Sequence, residues 1–360
     1  MSTMSVSYNP SWKIVNEQQN LLTSLAISLD GARLVVASKD CNMLLIDMED
    51  GSVLANLSFE NRFWATSTKW YSSRNLFVGG SNGVIYQVCF NPTNHKFTAT
   101  MNPILELQEQ IWSLEFDPGQ NLLAAGHRDR VGLYTYHERV KNSEPQWKSV
   151  ENIKGPHNDE RGLVTALLFY PTRQNERDLF IGYAEAGWSI WSRPGCLKRV
   201  SPDHNHNVCR IGSVTLSPDK KSIAISALDR CIITYELSDG GPLLESMKEH
   251  PYEDISGTCP IVPIAFTSDG VIIGGTACGD VPMINDGGVT TLIHHERPNH
   301  VIRAIATFGQ KIIVGSSAGS ETVLTCYAPS VVVAVKPQKT KTSLITASDA
   351  LVGWEERDIP

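Results

Sequence analysis

Three groups of residues have types and spacings that suit chemistry. Gly79-Gly80-Ser81-Asn82-Gly83 and Gly315-Ser316-Ser317-Ala318-Gly319 match G-x-S-x-G. In that pattern a serine on a sharp strand-to-helix turn exposes its hydroxyl for nucleophilic attack. His204, His206 and Cys209 lie within six residues. A His-x-His pair with a thiolate supplies three of the four ligands of a tetrahedral zinc site. His294-His295 is a weaker version. Glu253-Asp254 and Glu355-Glu356 are paired carboxylates, but their neighbours argue for no apolar pocket that would separate their pKa values. No Walker loop and no G-x-G-x-x-G occur.

What these residues can do depends on the elements that hold them, and those elements repeat. An apolar or β-branched residue is followed by another three positions on and a third two further, at a pitch of roughly 40 to 52 residues. The sets are Leu22, Leu25, Ile27; Ala65, Thr68, Trp70 (the weakest); Ile111, Leu114, Phe116; Val164, Leu167, Phe169; Ile211, Val214, Leu216; Ile261, Ile264, Phe266; and Ile302, Ile305, Thr307. The last two members of each set alternate as on one face of a strand. The first is displaced by one residue, which a bulge at the strand start absorbs.

Turn residues follow several of the sets: Asp30-Gly31, Asp117-Pro118-Gly119, Ser217-Pro218-Asp219 and Ser268-Asp269-Gly270. A second strand is then expected, from Leu34 to Ser38 in the first unit and from Ile312 to Ser316 in the last. A third follows, from Met43 to Asp47 in the first and Thr322 to Tyr327 in the last. A weaker fourth closes most units, as at Ser52 to Leu57 or Leu243 to Met247. Four strands at this pitch make one propeller blade. The expected fold is therefore all-β: a seven-bladed β-propeller of four-stranded antiparallel blades over residues 1–335, with blades starting near 22, 65, 111, 164, 211, 261 and 302 and a polar tail at 336–360. In this setting both G-x-S-x-G matches fall in hairpins between strands and lose their nucleophile reading.

The last unit supplies three strands. Trp12 to Val15 stands where a fourth strand should precede the first set, and its use there covers an open edge. Val331 to Val335 is the competing segment; the N-terminal one is favoured because each earlier fourth strand leads directly into the next set.

Net charge is -7 with a pI of about 5.8, and the basic residues form no stripe, which argues against nucleic acid as a partner. No apolar run reaches the roughly 18 residues of a membrane span, and Met1 to Pro10 lacks the pattern of a signal peptide. The eight cysteines contain no C-x-x-C pair and read as buried thiols of a reducing compartment, cytoplasmic or nuclear. No cofactor is expected.

Ile211 to Glu236 carries Ser217-Pro218-Asp219, Ser226, Asp229 and then Ile232-Ile233-Thr234-Tyr235-Glu236. Asp40, Asn82, Asp129 and Asp229 occupy the turn between second and third strands, and Trp191 ends a third strand. On these residues the chain from Trp12 to Ala328 resembles the WD40-repeat β-propeller family. It departs from it in having no Gly-His pair before any first strand, so the family's buried His–Asp–Ser–Trp network is expected to be incomplete. The resemblance implies that the residue after each first set member faces the central rim: Thr23, Thr66, Trp112, Thr165, Gly212, Val262 and Arg303. Trp112 and Arg303 are the usual residue types of interface anchors, although Trp112 packed into the next blade is the competing account. Trp64 adds to the patch, and Lys39, Arg128, Arg130, Glu185 and Arg230 ring it. The long segments His137 to Gln146 and Asn152 to Gly162 are secondary candidates.

The expected function is a non-catalytic scaffold that binds a protein or peptide partner across the rim, as a monomer or within a hetero-complex. Two alternatives stay open: an enzyme on a propeller platform with a metal at His204, His206 and Cys209, and a small-ligand or glycan binder.

Overall fold

The computed structural model describes residues 6–16, 21–59, 63–93, 96–137, 146–155, 162–172, 177–192, 196–199, 210–228, 231–238, 241–251, 262–285, 288–295 and 300–331. Among them stand seven antiparallel sheets; six run in chain order as strands a to d, and in the seventh the N-terminal strand lies beside the last three strands of the ring. The a strands are Leu22–Ile27, Ala65–Trp70, Ile111–Asp117, Val164–Pro171, Ile211–Leu216, Ile264–Phe266 and Val301–Phe308. Each touches the a strand before and after it, and the last touches the first, so they surround a central axis. The molecule is a seven-bladed β-propeller. Among the described residues no helix is long and apolar enough to cross a membrane.

The displaced first residue of the repeat has the expected cause. In six a strands the register against strand b slips by one residue directly after the first member: at Leu22/Ser24, Ala65/Ser67, Ile111/Ser113, Val164/Ala166, Ile211/Ser213 and Ile302/Ala304. The extra residue is unpaired and turned out of the ladder. The a–b turns reuse one device in blades one, five and six. A hydroxyl at Ser28, Ser217 or Thr267 donates to the Asp two positions on, at 2.6, 2.6 and 2.5 Å. It also accepts a backbone N–H from Arg33, Ser222 or Val271 across the turn, so a side chain fixes the hairpin locally.

The apolar core is divided among the blade interfaces. One cluster joins Val35, Met43 and Leu45 of blade one to Phe63, Trp70 and Tyr86 at blade two. Others join blades two and three through Phe77 and Phe116, three and four through Leu133 and Phe169, four and five through Trp188 and Tyr235, and six and seven through Met283 and Tyr327. The cluster between blades five and six is small: Ala224, Ile232, Ile264, Ile272 and Ile284, with Phe266 packed against it. A groove of about 260 Å³ opens at the same seam.

Close approach between blades rests on glycine in strand b or, in blade six, directly after it. A Cβ on Gly79, Gly126 or Gly182 would lie 2.6 Å from Ile111, Val164 or Ile211, and one on Gly275 2.8 Å from Ile302. Leu22 takes the same place over Gly315. In five blades, therefore, the first member of the next apolar set drops into a slot left by a missing side chain.

The ring is closed by the chain start. Val6–Asn16 pairs antiparallel with Glu321–Val331, strand c of blade seven, from Val6↔Val331 to Asn16↔Thr322. The N-terminal segment thus serves as strand d, longer than the Trp12 to Val15 expected. Val331 ends strand c, and the rest of the competing segment, with the tail at 336–360, lies outside the described residues. Buried Trp12 also reaches blade one, where its Nε1–H donates to Met48 O at 3.3 Å.

One expected strand is absent. Leu243 to Met247 holds a 3-10 turn, Leu244–Ser246, and pairing resumes at Lys248–Pro251 against strand c. The Ser246 hydroxyl donates to Leu243 O at 2.7 Å and accepts from Glu236 N–H at 2.8 Å, so a side chain takes over the ladder bond there.

Candidate binding rim and central channel

The bulges deliver Thr23, Thr66, Trp112, Thr165, Gly212 and Arg303 at one level of the ring. In blade six Pro263 precedes the short a strand and lines the channel instead, while Val262 is buried. The a strands of all blades enclose a central channel of about 300 Å³, with Trp112 and Arg303 in its wall.

The threonines have a second role that sequence did not reveal. Thr23 Oγ1–H donates to Ala65 O and Thr165 Oγ1–H to Ile211 O, each at 2.6 Å. Thr66 bridges Gly79 O, at 2.9 Å, and Ile111 O. Ser113 and Ser213 reach Val164 O and Val262 O at 3.1 and 2.9 Å. In each case the hydroxyl grips the entry of the next blade and satisfies a carbonyl at the bulge. Thr66 and Thr165 are therefore committed between blades. Trp112 and Arg303 are the large channel side chains that remain.

Arg303 is half-buried, and its Nε is fully covered without a hydrogen-bond partner. Burial alone pushes its guanidinium below the ordinary arginine value. The described channel wall otherwise holds hydroxyl, apolar and indole groups and no carboxylate.

Around the mouth, the b–c turns meet the loops that enter strand a. Lys39 Nζ stands 5.8 Å from the centre of the Trp64 ring, a cation–π pair joining blades one and two. Arg128 Nε pairs with Glu109 Oε1 at 3.1 Å, and Arg130 Nε with Asp129 Oδ1 at 3.6 Å. Arg128 and Gln108, at φ 46° and 63°, hold left-handed backbone beside this cluster. Glu109 carried no signal in a single repeat unit; its place two residues before Ile111, opposite a b–c turn, is the cue that would have found it. Glu185 is exposed in the b–c turn of blade four. Arg230, His204, His206 and Cys209 lie outside the described residues, as do 138–145 and 156–161 of the two long segments.

His127 sits beneath the arginines with Nδ1 3.9 Å from Glu109 Oε2, too far for a hydrogen bond. Burial lowers its pKa, against the pull of Glu109. A folded-state value below that of the unfolded chain means the unfolded chain binds more protons. The contribution of neutral His127 is complete above about pH 6.5 and is lost as pH falls toward the folded value. The urea midpoint should therefore drop between pH 7 and 5.5, and His127→Gln should flatten that drop. An unchanged slope in the variant would contradict the assignment.

The remaining motif residues have structural partners. Ser81 Oγ accepts from Trp64 N–H at 3.2 Å and Ser317 Oγ from Leu22 N–H at 3.1 Å, both in strand–turn–strand settings. His295 Nδ1 lies 3.0 Å from Tyr327 Oη, and His300 Nδ1 3.2 Å from Ser316 Oγ. Trp191 Nε1 and Ser226 Oγ are buried without partners. The described residues include no group of three His, Cys, Asp or Glu side chains placed to hold a metal ion.

Fold and channel together define a seven-bladed β-propeller with a central opening lined by hydroxyl and apolar groups, one arginine and one tryptophan among the described residues. No protein-family model matches the chain, and no curated protein matches its sequence.

Proposed function

We propose that the chain is a divergent WD40-like propeller that serves as a non-catalytic scaffold, holding a protein or peptide partner over the rim in the cytoplasm or nucleus. The observation that carries this reading is the delivery of Trp112 and Arg303 by strand bulges into one central opening. The Lys39–Trp64 and Arg128–Glu109 pairs around the mouth support it. Trp and Arg are the residue types that dominate binding energy at interfaces.

The test is the double variant Trp112→Ala with Arg303→Glu. Two anchors worth about 2 kcal/mol each would lower partner affinity well beyond 30-fold. Proteins captured by the wild-type chain from cell extract should be lost, with melting temperature and circular dichroism retained. Undiminished capture by a folded double variant would overturn the rim assignment.

A further inference from the structure

Arg303 is a cation held in a place that costs it solvation. It emerges from a bulge in blade seven into an opening whose lining, among the described residues, includes no acid. Its Nε–H is covered and has no acceptor. A buried donor left unmade is expensive, and a buried charge without a counter-charge more so. In four other blades the same position holds a short residue: Thr23, Thr66 and Thr165 spend their hydroxyls on the next blade, and Gly212 has no side chain to spend. Arg303 does neither, so packing gives it no task among the described residues.

The rest of the wall suits an anion. Ser67 and Ser24, the latter hydrogen-bonded to Thr68 at 2.8 Å, place hydroxyl groups on the channel, and Trp112 offers an apolar face from blade three. Blades three and seven are as far apart as two members of a seven-membered ring can be, so Trp112 and Arg303 enter from opposite sides of the axis. The volume of about 300 Å³ admits a small head group or one side chain, and not a folded element.

We propose that the central channel is an anion site in which Arg303 takes a carboxylate or phosphate group through its guanidinium N–H donors, with Trp112 against the less polar part of the ligand. The inference rests on the rim reading for the location of the site only. It asks nothing of any partner and is tested with free anions.

Melting curves of the wild-type chain and Arg303→Gln are recorded in inorganic phosphate, in succinate and in chloride at matched ionic strength. Phosphate raises the melting point of most proteins by exclusion from their surface, so the informative quantity is the difference between the two chains. A specific site is expected to raise the wild-type melting point by about 1–3 °C more than that of the variant, with phosphate or with succinate. Whichever anion does so identifies the group. Equal shifts in both chains, with both anions, overturn the proposal.

The anion-free variant gives a separate check. Removing a cation held for a ligand leaves the melting point unchanged or raised, whereas removing a structural side chain lowers it; a clear fall would count against the proposal. If Arg303→Gln does not fold, the fluorescence of Trp112, taken as the difference between wild type and Trp112→Phe, must change on addition of phosphate or succinate. No change with either overturns the site. Loss of partner capture by the rim variant without any anion effect would leave the scaffold reading standing and this one refuted.

Discussion

Trp12→Ala should lower stability by about 3–5 kcal/mol, the range for deleting a large buried aromatic side chain. Trp12 belongs to the strand that completes blade seven, yet its ring packs on Gly51 and beside Met48 in blade one. A Cβ on Gly51 would lie 2.9 Å from the indole, so the glycine is a cradle for that ring. The lost hydrogen bond adds little, because Met48 O also accepts from Lys311 Nζ at 3.1 Å and stays satisfied. The cost is packing at the joint where the ends of the ring meet. With this joint weakened, the edge of strand c in blade seven opens more readily, and an unpaired edge invites association. Urea denaturation followed by tryptophan fluorescence, together with light scattering, measures both effects. A loss below about 1 kcal/mol would show that the closing strand is dispensable.

Gly182→Ala should cost about 1–3 kcal/mol by overpacking, a large effect for one methyl group. The new Cβ would lie 2.6 Å from Ile211 Cγ2 and 3.1 Å from Ala166 Cβ, and both neighbours are held in strands. Ile211→Ala alone should cost about 2–5 kcal/mol through the cavity it leaves. Together the two changes should cost less than their sum by about 1 kcal/mol or more, since the methyl group of one enters the space vacated by the other. Strict additivity in this double-mutant cycle would mean that the glycine is not there to admit the isoleucine.

The fold was legible because its cause is local and repeated. A strand that begins with a bulge writes its extra residue into the spacing of Leu22, Leu25 and Ile27, and the same offset returns in later units. The a–b turns were legible for the same reason, since Ser217, Asp219 and Ser222 form one turn from their own neighbours. What escaped depends on contact between units. Gly182 faces Ile211, and Thr165 grips the Ile211 carbonyl, across sequence gaps that no single repeat reveals. Sequence position alone puts Thr66 and Thr165 on the rim; only the neighbouring blade shows where the hydroxyls go. Residue type singles out Arg303 and Trp112, and the structure adds a described lining without a carboxylate around Arg303.

The ring has two unlike joints. At one, the N-terminal strand and Trp12 fasten blade seven through a ladder of backbone pairs that shifts register once, between Pro10 and Trp12. At the other, between blades five and six, the chain is continuous but the apolar filling by the described residues is small and a groove lies beside it. Among the described residues, the seam closed by the first strand and the seam with the least apolar filling therefore lie at different places on the circumference. A circle built this way can yield at one seam, admitting solvent between two sheets, while the clasp that defines its closure stays fastened.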